Sequence, residues 1–313
     1  MQLFIQRIID GLANGAIYGA IALAISLVYR TSGVLNIAQG EMATFGTYIA
    51  YVLSSTATPA LFGAGLAAIL PFTPWPMWLS ILVAMAISAV FGAALELLVF
   101  RRLRNRPPQV VTSATVGLFL LINGITAQWW FAIPRDVTSV FPDQPDDYIG
   151  IGGARFRFTY LGVLLVVVGL LVALELVLNR TRLGLAFRAV AQSREHAELV
   201  GIRSDHVVAV GWALAAAIGT LIGGLVAPRL LLTPTMMVTI VVYALAAALL
   251  GGLDSSVGVV LGGLAIGVVT TMLAGYVEPL GPDLSVVVAL VVLLIVLLVR
   301  PTGLFGAKQV ERA

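Results

Sequence analysis

The sequence GLANGAIYGAIALAISLVY, residues 11–29, carries no charged side chain and predicts a helix long enough to cross a lipid bilayer. A hydrocarbon core of ~30 Å needs roughly 20 apolar residues per helix, and lipid offers the backbone no other hydrogen-bond partners. The whole chain shares this character, since 60% of its 313 residues are hydrophobic and only 11% are charged. A soluble domain carries roughly 25% charged residues. The sequence therefore predicts an integral membrane protein.

Nine apolar segments follow one another and predict an all-α, polytopic bundle that forms one membrane domain over residues 1–313. The second segment carries Asn36, Gln39 and Glu41 near its start, which favours a broken or re-entrant helix. The seventh segment is short, so a bundle of eight crossings is also compatible. The nine segments are Ile8–Tyr29, Val34–Leu53, Met77–Phe100, Val110–Ile133, Tyr160–Leu178, Val207–Pro228, Met236–Gly252, Ser256–Val277 and Leu284–Val299.

Arginine and lysine are distributed unequally between the two faces of the predicted bundle. Of the 18 basic residues, thirteen fall in loops on one side and five on the other. The basic side of a membrane protein faces the cytoplasm. Nine crossings place the N-terminus outside, whereas a re-entrant second segment places it inside. The same bias explains the net charge of +3 without a nucleic-acid partner.

The longest loop on the basic side covers residues 180–206, and we call it the internal loop. It is polar, yet it contains apolar residues such as Leu185, Val190 and Leu199 that a solvated loop does not need. We therefore expect short helices there that dock on another surface. The alternative is a solvated loop that its arginines anchor to the cytoplasmic face.

Polar side chains inside the apolar segments are costly in lipid and are therefore candidates for a function. The sequence LNIAQGEMATFG, residues 35–46, concentrates them at the predicted break in the second segment. They either line a translocation pathway or hold the break in place. The candidates in the pathway are Asn36, Gln39 and Glu41, with Asn14, Tyr18 and Asn123 as weaker ones.

Two further patterns indicate helix packing. Gly11, Gly15 and Gly19 are spaced four apart and form one helix face that allows close approach of another backbone. Glu96 and Glu175 stand near the basic ends of their segments, where snorkelling or pairing with nearby arginines explains them.

The sequence contains few of the residue patterns that catalytic sites require. The only histidines, His196 and His206, both lie in the internal loop, and the chain contains no GxSxG sequence and no cysteine. A P-loop needs a lysine after glycine, but the only lysine, Lys308, follows Ala307. We therefore predict no catalytic residue, no metal site and no cofactor, and any ATP-driven step must take place on another polypeptide.

Four long stretches resemble the branched-chain amino acid permeases of ABC importers, the Liv-type H subunits. They are residues 11–51, beginning GLANGAIYGA; residues 180–228, beginning RTRLGLAFRAVAQSREHAELVGIRSD; residues 248–268, ALLGGLDSSVGVVLGGLAIGV; and residues 299–306, VRPTGLFG. The resemblance extends over nearly the whole chain in the right order. The usual spelling of the EAA permease loop is absent, and AVAQSREHAELVGI at residues 189–202 stands in its place.

The resemblance implies a permease subunit of the bacterial inner membrane, working with a second homologous permease, two cytoplasmic ATPases and a periplasmic binding protein. It also implies that residues 188–202 contain the coupling helix, with Ala189, Ala197 and Leu199 buried against the ATPase. Arg188 and Arg194 would form the charged rim, and Gly201 belongs to the same set of coupling residues. Branched-chain amino acids are the implied solutes, and urea or amides are the alternatives. A stand-alone secondary transporter is the first rival function, and a membrane-embedded enzyme is the second.

Overall fold

The computed structural model describes residues 2–55, 74–104, 106–130, 132–144, 146–151, 154–276, 284–300 and 303–306. Helices dominate this part of the chain, and each of the nine predicted segments contains one. The elements are α1 (Gln2–Ser32), α2 (Gln39–Ser54), α3 (Met77–Leu95), a π-helical turn (Glu96–Phe100), α4 (Arg101–Leu103), α5 (Pro108–Trp130), β1 (Tyr148–Ile151), β2 (Ala154–Arg157), α6 (Phe158–Arg180), α7 (Arg182–Gln192), α8 (Arg194–Leu199), α9 (Ser204–Leu230), α10 (Val238–Gly251), α11 (Ser256–Tyr276) and α12 (Ser285–Val299).

Six of the described helices are long and apolar enough to cross a membrane: α1, α3 with its continuation to Leu103, α5, α6, α9 and α11. Two shorter apolar helices, α10 and α12, accompany them. The 16 residues of α2 extend only ~24 Å at 1.5 Å per residue, which is less than the bilayer core. The number of crossings, eight or nine from the sequence, stays a prediction.

The long helices differ in how much of their most apolar stretch is buried. That of α1 is 83% buried and that of α9 is 72% buried, whereas those of α3, α5 and α6 are each only 28% buried. These three helices expose large aliphatic side chains such as Val90, Leu120 and Leu165. Exposed apolar surface of this kind is suited to lipid or to another membrane subunit.

The described residues divide into two compact units. The first contains residues 1–33, 141–207 and 239–313, and the second contains residues 34–140 and 208–238. In the first unit, α1 lies along α11 through the predicted glycine face. A Cβ atom on Gly15 would be 2.7 Å from Leu264 Cα, and one on Gly263 would be 2.3 Å from Gly19 Cα. The two backbones therefore meet directly, and no side chain fits between them at these positions.

The first unit also contains the segment between α5 and α6 from residue 141 onward. It forms an antiparallel hairpin in which Tyr148 pairs with Arg157 and Ile149 with Phe156. The hairpin is anchored on α1, because the Arg155 backbone N–H donates to Gln6 Oε1 at 2.8 Å. The chain is thus mostly helical and not purely α.

In the second unit, α2 packs against α9. A Cβ on Gly223 would be 2.1 Å from Thr47 Oγ1, and one on Gly46 would be 1.9 Å from Thr220 Oγ1. The Thr220 hydroxyl donates to Ser88 Oγ at 2.7 Å, which joins α9 to α3. At Gly46 and Gly223, the absence of a side chain therefore makes room for a threonine hydroxyl of the neighbouring helix.

Glu96 is 2% exposed and lies within 3.9 Å of an Arg101 nitrogen and 3.8 Å of an Arg104 nitrogen. The predicted pairing of this glutamate with the arginines that follow it is therefore correct. The π-helical turn begins at Glu96, so the pairing lies where the helix geometry changes. The sequence contains no signal for this turn.

Candidate functional site: a capped internal loop and a buried polar cluster

The internal loop folds into two short helices, α7 and α8, each started by a hydroxyl side chain. Thr181 Oγ1 accepts from the Gly184 N–H at 3.2 Å, and Ser193 Oγ accepts from the His196 N–H at 3.4 Å. Such N-caps satisfy N–H groups that the first helical turn leaves unpaired. A Cβ on Gly184 would be 2.0 Å from Leu178 O, so the turn from α6 into α7 leaves no room for a side chain there. The predicted short helices are present.

The end of α8 is fixed by a glycine. Gly201 has φ +85°, a conformation that glycine adopts with little strain. The Ile202 N–H donates to Ala197 O at 3.0 Å, and the Gly201 N–H donates to Glu198 O at 3.0 Å. This is the Schellman arrangement that ends many helices. Gly201 therefore ends α8, and its predicted role in coupling stays a prediction.

Arg194 joins α8 to the start of α9. Its Nη2 donates to Asp205 Oδ1 at 2.8 Å, and its Nε donates to Ser204 Oγ at 3.1 Å and to Glu198 Oε1 at 3.3 Å. Hydrogen bonds from the Ser204 hydroxyl and from Arg194 lower the pKa of Glu198 below its ordinary value. Arg194 therefore stabilises the loop internally, whereas Arg188 is exposed on α7.

The predicted contact residues of the internal loop differ in accessibility. Ala197 is only 3% exposed and packs within its own chain, which makes it a residue of the loop's interior. Ala189 is half-buried. Leu199 is 83% exposed and the neighbouring Val200 is 75% exposed, so the end of α8 presents an apolar tip. We refer to Leu199 and Val200 as the α8 tip.

The polar side chains at the predicted break belong to the second unit, where residues 34–38 are non-helical and α2 begins at Gln39. Asn36 Oδ1 accepts from the Ala38 N–H at 3.1 Å, and Asn36 Nδ2 donates to Gln39 Oε1 at 3.4 Å. Gln39 Nε2 donates in turn to the Ala215 carbonyl of α9 at 2.8 Å. The side chains thus replace helical hydrogen bonds where the helix is interrupted.

Glu41 lies two residues after Gln39 in α2 and is fully buried. Asn123 Nδ2 donates to Glu41 Oε2 at 3.1 Å and to Pro234 O at 3.3 Å. Glu41 Oε1 has no hydrogen-bond partner among the residues that the structure describes. The structure therefore joins Asn36 to Gln39 and Asn123 to Glu41.

The other two candidates, Asn14 and Tyr18, lie on α1 in the first unit, and both are half-buried. The Tyr18 ring stacks on the Tyr243 ring with centroids 4.7 Å apart. The sequence did not reveal the buried Ser88–Thr220 pair. Hydroxyls in apolar segments are a weak signal, because most of them bond to their own helix backbone.

Comparison with known proteins gives these features a context. Residues 7–297 match the model of a family described as the branched-chain amino acid transport system / permease component. The chain belongs to this family. It is accordingly a multi-pass membrane protein and a permease component of a transport system.

Two curated relatives extend over almost the whole permease. The chain is 30% identical to the high-affinity branched-chain amino acid transport system permease protein BraD of Pseudomonas aeruginosa, covering 99% of this chain and 98% of BraD. It is 28% identical to the corresponding permease protein LivH of Salmonella typhimurium, over 99% of this chain and 97% of LivH. The resemblance read from the sequence is therefore confirmed.

A solved structure of PsaBC from Streptococcus pneumoniae in complex with Fab is a more distant match. It covers 96% of this chain and 92% of that one, with a TM-score of 0.44 and 13% identity.

Proposed function

We propose that this permease is the membrane-spanning subunit of an ABC importer that carries branched-chain or related amino acids into the cytoplasm. ATP is hydrolysed on two separate cytoplasmic subunits, and a periplasmic binding protein delivers the solute. A second, homologous permease completes the pathway in the inner membrane. Family membership supports the transport role, and the names of the relatives support the solute.

The α8 tip carries the coupling part of the proposal. Leu199 and Val200 are both more than two-thirds exposed. Exposure of two adjacent aliphatic side chains to water is unfavourable, whereas an apolar groove on a partner protein would bury them. The caps at Ser193 and Gly201 and the bonds of Arg194 hold the tip in one geometry. A rigid element of this kind transmits the motion of a bound ATPase to α9, which follows directly.

The polar pairs Asn36–Gln39 and Glu41–Asn123 have a structural role in this proposal. Within each pair the side chains bond to one another, and Gln39 also donates to the Ala215 carbonyl of α9, which supports the role of holding the break before α2. A pathway role for Asn14 and Tyr18 stays a prediction.

Replacement of Leu199 tests the coupling. In the reconstituted importer, Leu199→Asp should lower ATP-driven leucine uptake at least about tenfold, because a carboxylate buried in an apolar groove is strongly disfavoured. Leu199→Met keeps an apolar side chain and should retain near-normal uptake. Ala197 is unsuitable for this test, because its replacement would disturb the packing of the loop itself.

The controls separate coupling from folding and from rival functions. The membrane content and thermal stability of Leu199→Asp should equal those of the unaltered chain, because the side chain is exposed. The permease alone in liposomes should not accumulate leucine in response to a proton or sodium gradient. Normal uptake by Leu199→Asp would refute the coupling role, and accumulation by the isolated chain would establish a secondary transporter.

A further inference from the structure

A pocket of about 250 Å³ lies in the first unit, beside the internal loop. The ends of α1 and α6, one face of α7 and the start of α11 line it. The transport role assigned above makes no use of this pocket. Its walls bring together charges of both signs and apolar side chains, and this combination identifies a class of ligand.

Two arginines and two carboxylates line the pocket. Arg30 Nη1 donates to Ser256 Oγ at 2.7 Å, which orients its guanidinium and leaves further N–H donors. Glu175 and Asp254 act on Arg30 through electrostatic attraction. Among the described residues, neither carboxylate forms an ion pair with Arg30 or Arg188. The pocket therefore holds positive and negative groups apart across a small space.

Hydrogen bonds fix the negative side of the pocket. Asn179 Nδ2 donates to Glu175 Oε1, and Asn179 Oδ1 accepts from Arg188 Nη1 at 3.4 Å. The asparagine thus links the carboxylate on α6 to the arginine on α7. A ligand that bonds to this side of the pocket and also to Arg30 and Ser256 would connect α7 with α1 and α11. The α8 tip follows α7 along the chain.

The remaining wall is aliphatic and aromatic. Leu178 and Phe187 are both buried and line the pocket together with Leu27. These side chains offer apolar contact to the uncharged part of a ligand, whereas inorganic phosphate or a simple cation would make no use of them.

We propose that this pocket binds a free amino acid with an aliphatic side chain from the cytoplasm, and that the bound molecule slows import. The ligand carboxylate is held by Arg30 and the Ser256 hydroxyl, and the ammonium is held by Glu175 and Asp254. The side chain lies against Leu178 and Phe187.

The regulatory part rests on the proposed function, because it requires that α7 moves during transport. A ligand that binds more tightly to one position of α7 than to the other holds α7 in that position and so lowers the rate of import. The size of the effect is set by the difference in ligand affinity between the two positions of α7.

The test uses the complete importer in proteoliposomes that contain ATP, with or without L-leucine trapped inside. The initial uptake rate of the unaltered importer should fall several-fold with internal leucine. The double variant Glu175→Gln, Asp254→Asn removes both negative charges but keeps the side-chain shapes. Its uptake into leucine-free vesicles should be normal, and its half-inhibitory leucine concentration should rise at least about tenfold.

Analogues define the chemistry that the pocket recognises. Isocaproate lacks the ammonium group and isopentylamine lacks the carboxylate, so neither should inhibit from inside. A phosphatidylethanolamine headgroup is also a zwitterion, and vesicles made with and without this lipid distinguish the two sources. If the lipid itself occupies the pocket, the variant will differ from the unaltered importer only when the lipid is present, which would overturn the amino-acid assignment.

The outcomes remain separate from those of the proposed function. No ATP-driven uptake into leucine-free vesicles would refute the importer, and radiolabelled leucine binding to the purified chain would still decide whether the pocket is a site. Equal leucine affinity of the double variant and the unaltered chain would refute the site. Normal uptake at every internal leucine concentration, with binding intact, would refute the regulation.

Discussion

The two units of this permease use glycine for two kinds of close helix contact. Between α1 and α11, the atoms that would meet a side chain at Gly263 are Gly19 Cα and N at 2.3 Å and Gly15 O at 2.8 Å, all of them backbone. Between α2 and α9, the nearest atom at Gly223 is the Thr47 hydroxyl at 2.1 Å, and the next is Ala43 O at 3.2 Å. A backbone cannot move without its helix, whereas a hydroxyl can be removed by substitution. The first contact should therefore tolerate no change, and the second should be repairable.

The largest effect is expected at Gly263. Gly263→Ala forces α1 and α11 apart, and we expect a loss of about 3 kcal/mol or more in stability, because overpacking at an immobile surface cannot relax. Thermal unfolding of the purified protein in detergent measures this loss. The matched control is Gly169→Ala on α6, where no atom of the described residues lies within 4 Å of the added Cβ, and its stability should not fall. If the Gly263→Ala protein is as stable as the control, the α1–α11 contact is not more rigid than the α2–α9 contact.

A smaller and reversible effect is expected at Gly223. Gly223→Ala collides with the Thr47 hydroxyl, and we expect a loss of about 2 kcal/mol. In the double variant with Thr47→Ala, the nearest remaining atoms among the described residues are at least 3.2 Å away, so most of the loss should be recovered. A double-mutant cycle of unfolding free energies measures this coupling. Additive losses would show that the α2–α9 contact is as rigid as that of α1 with α11.

The smallest effect is expected from the hydrogen bond that Gln39 donates to Ala215. Gln39→Leu keeps the side-chain size and removes the donor, and the loss should be about 1 kcal/mol, since hydrogen bonds between membrane helices contribute modestly. Gln39→Glu is the comparison, because it removes the donor and adds a buried charge, and it should be clearly less stable than Gln39→Leu. Equal stability of the two variants would argue that this position is hydrated.

Some of this protein is determined by its sequence without further information. Long apolar runs cannot be hidden in water, so membrane helices follow from composition alone, and the excess of arginine on one side predicts the orientation. The glycine face of α1 and the pairing of Glu96 with arginine follow from helical spacing. The two helices of the internal loop follow from the apolar residues in it, and their caps use the residue types expected at such positions.

The tertiary structure decided which of those residues are accessible and which groups meet. Ala197 and Leu199 look equally suited to a partner surface in the sequence, but one is 3% exposed and the other 83%. Their difference depends on how α8 packs, which periodicity over a helix of six residues cannot specify. In the pocket, Arg30 donates to the Ser256 hydroxyl across more than two hundred residues of sequence, and such a contact arises only when α1 and α11 are packed together. Local sequence fixes the type of each element, whereas burial and long-range hydrogen bonds depend on contacts between distant elements.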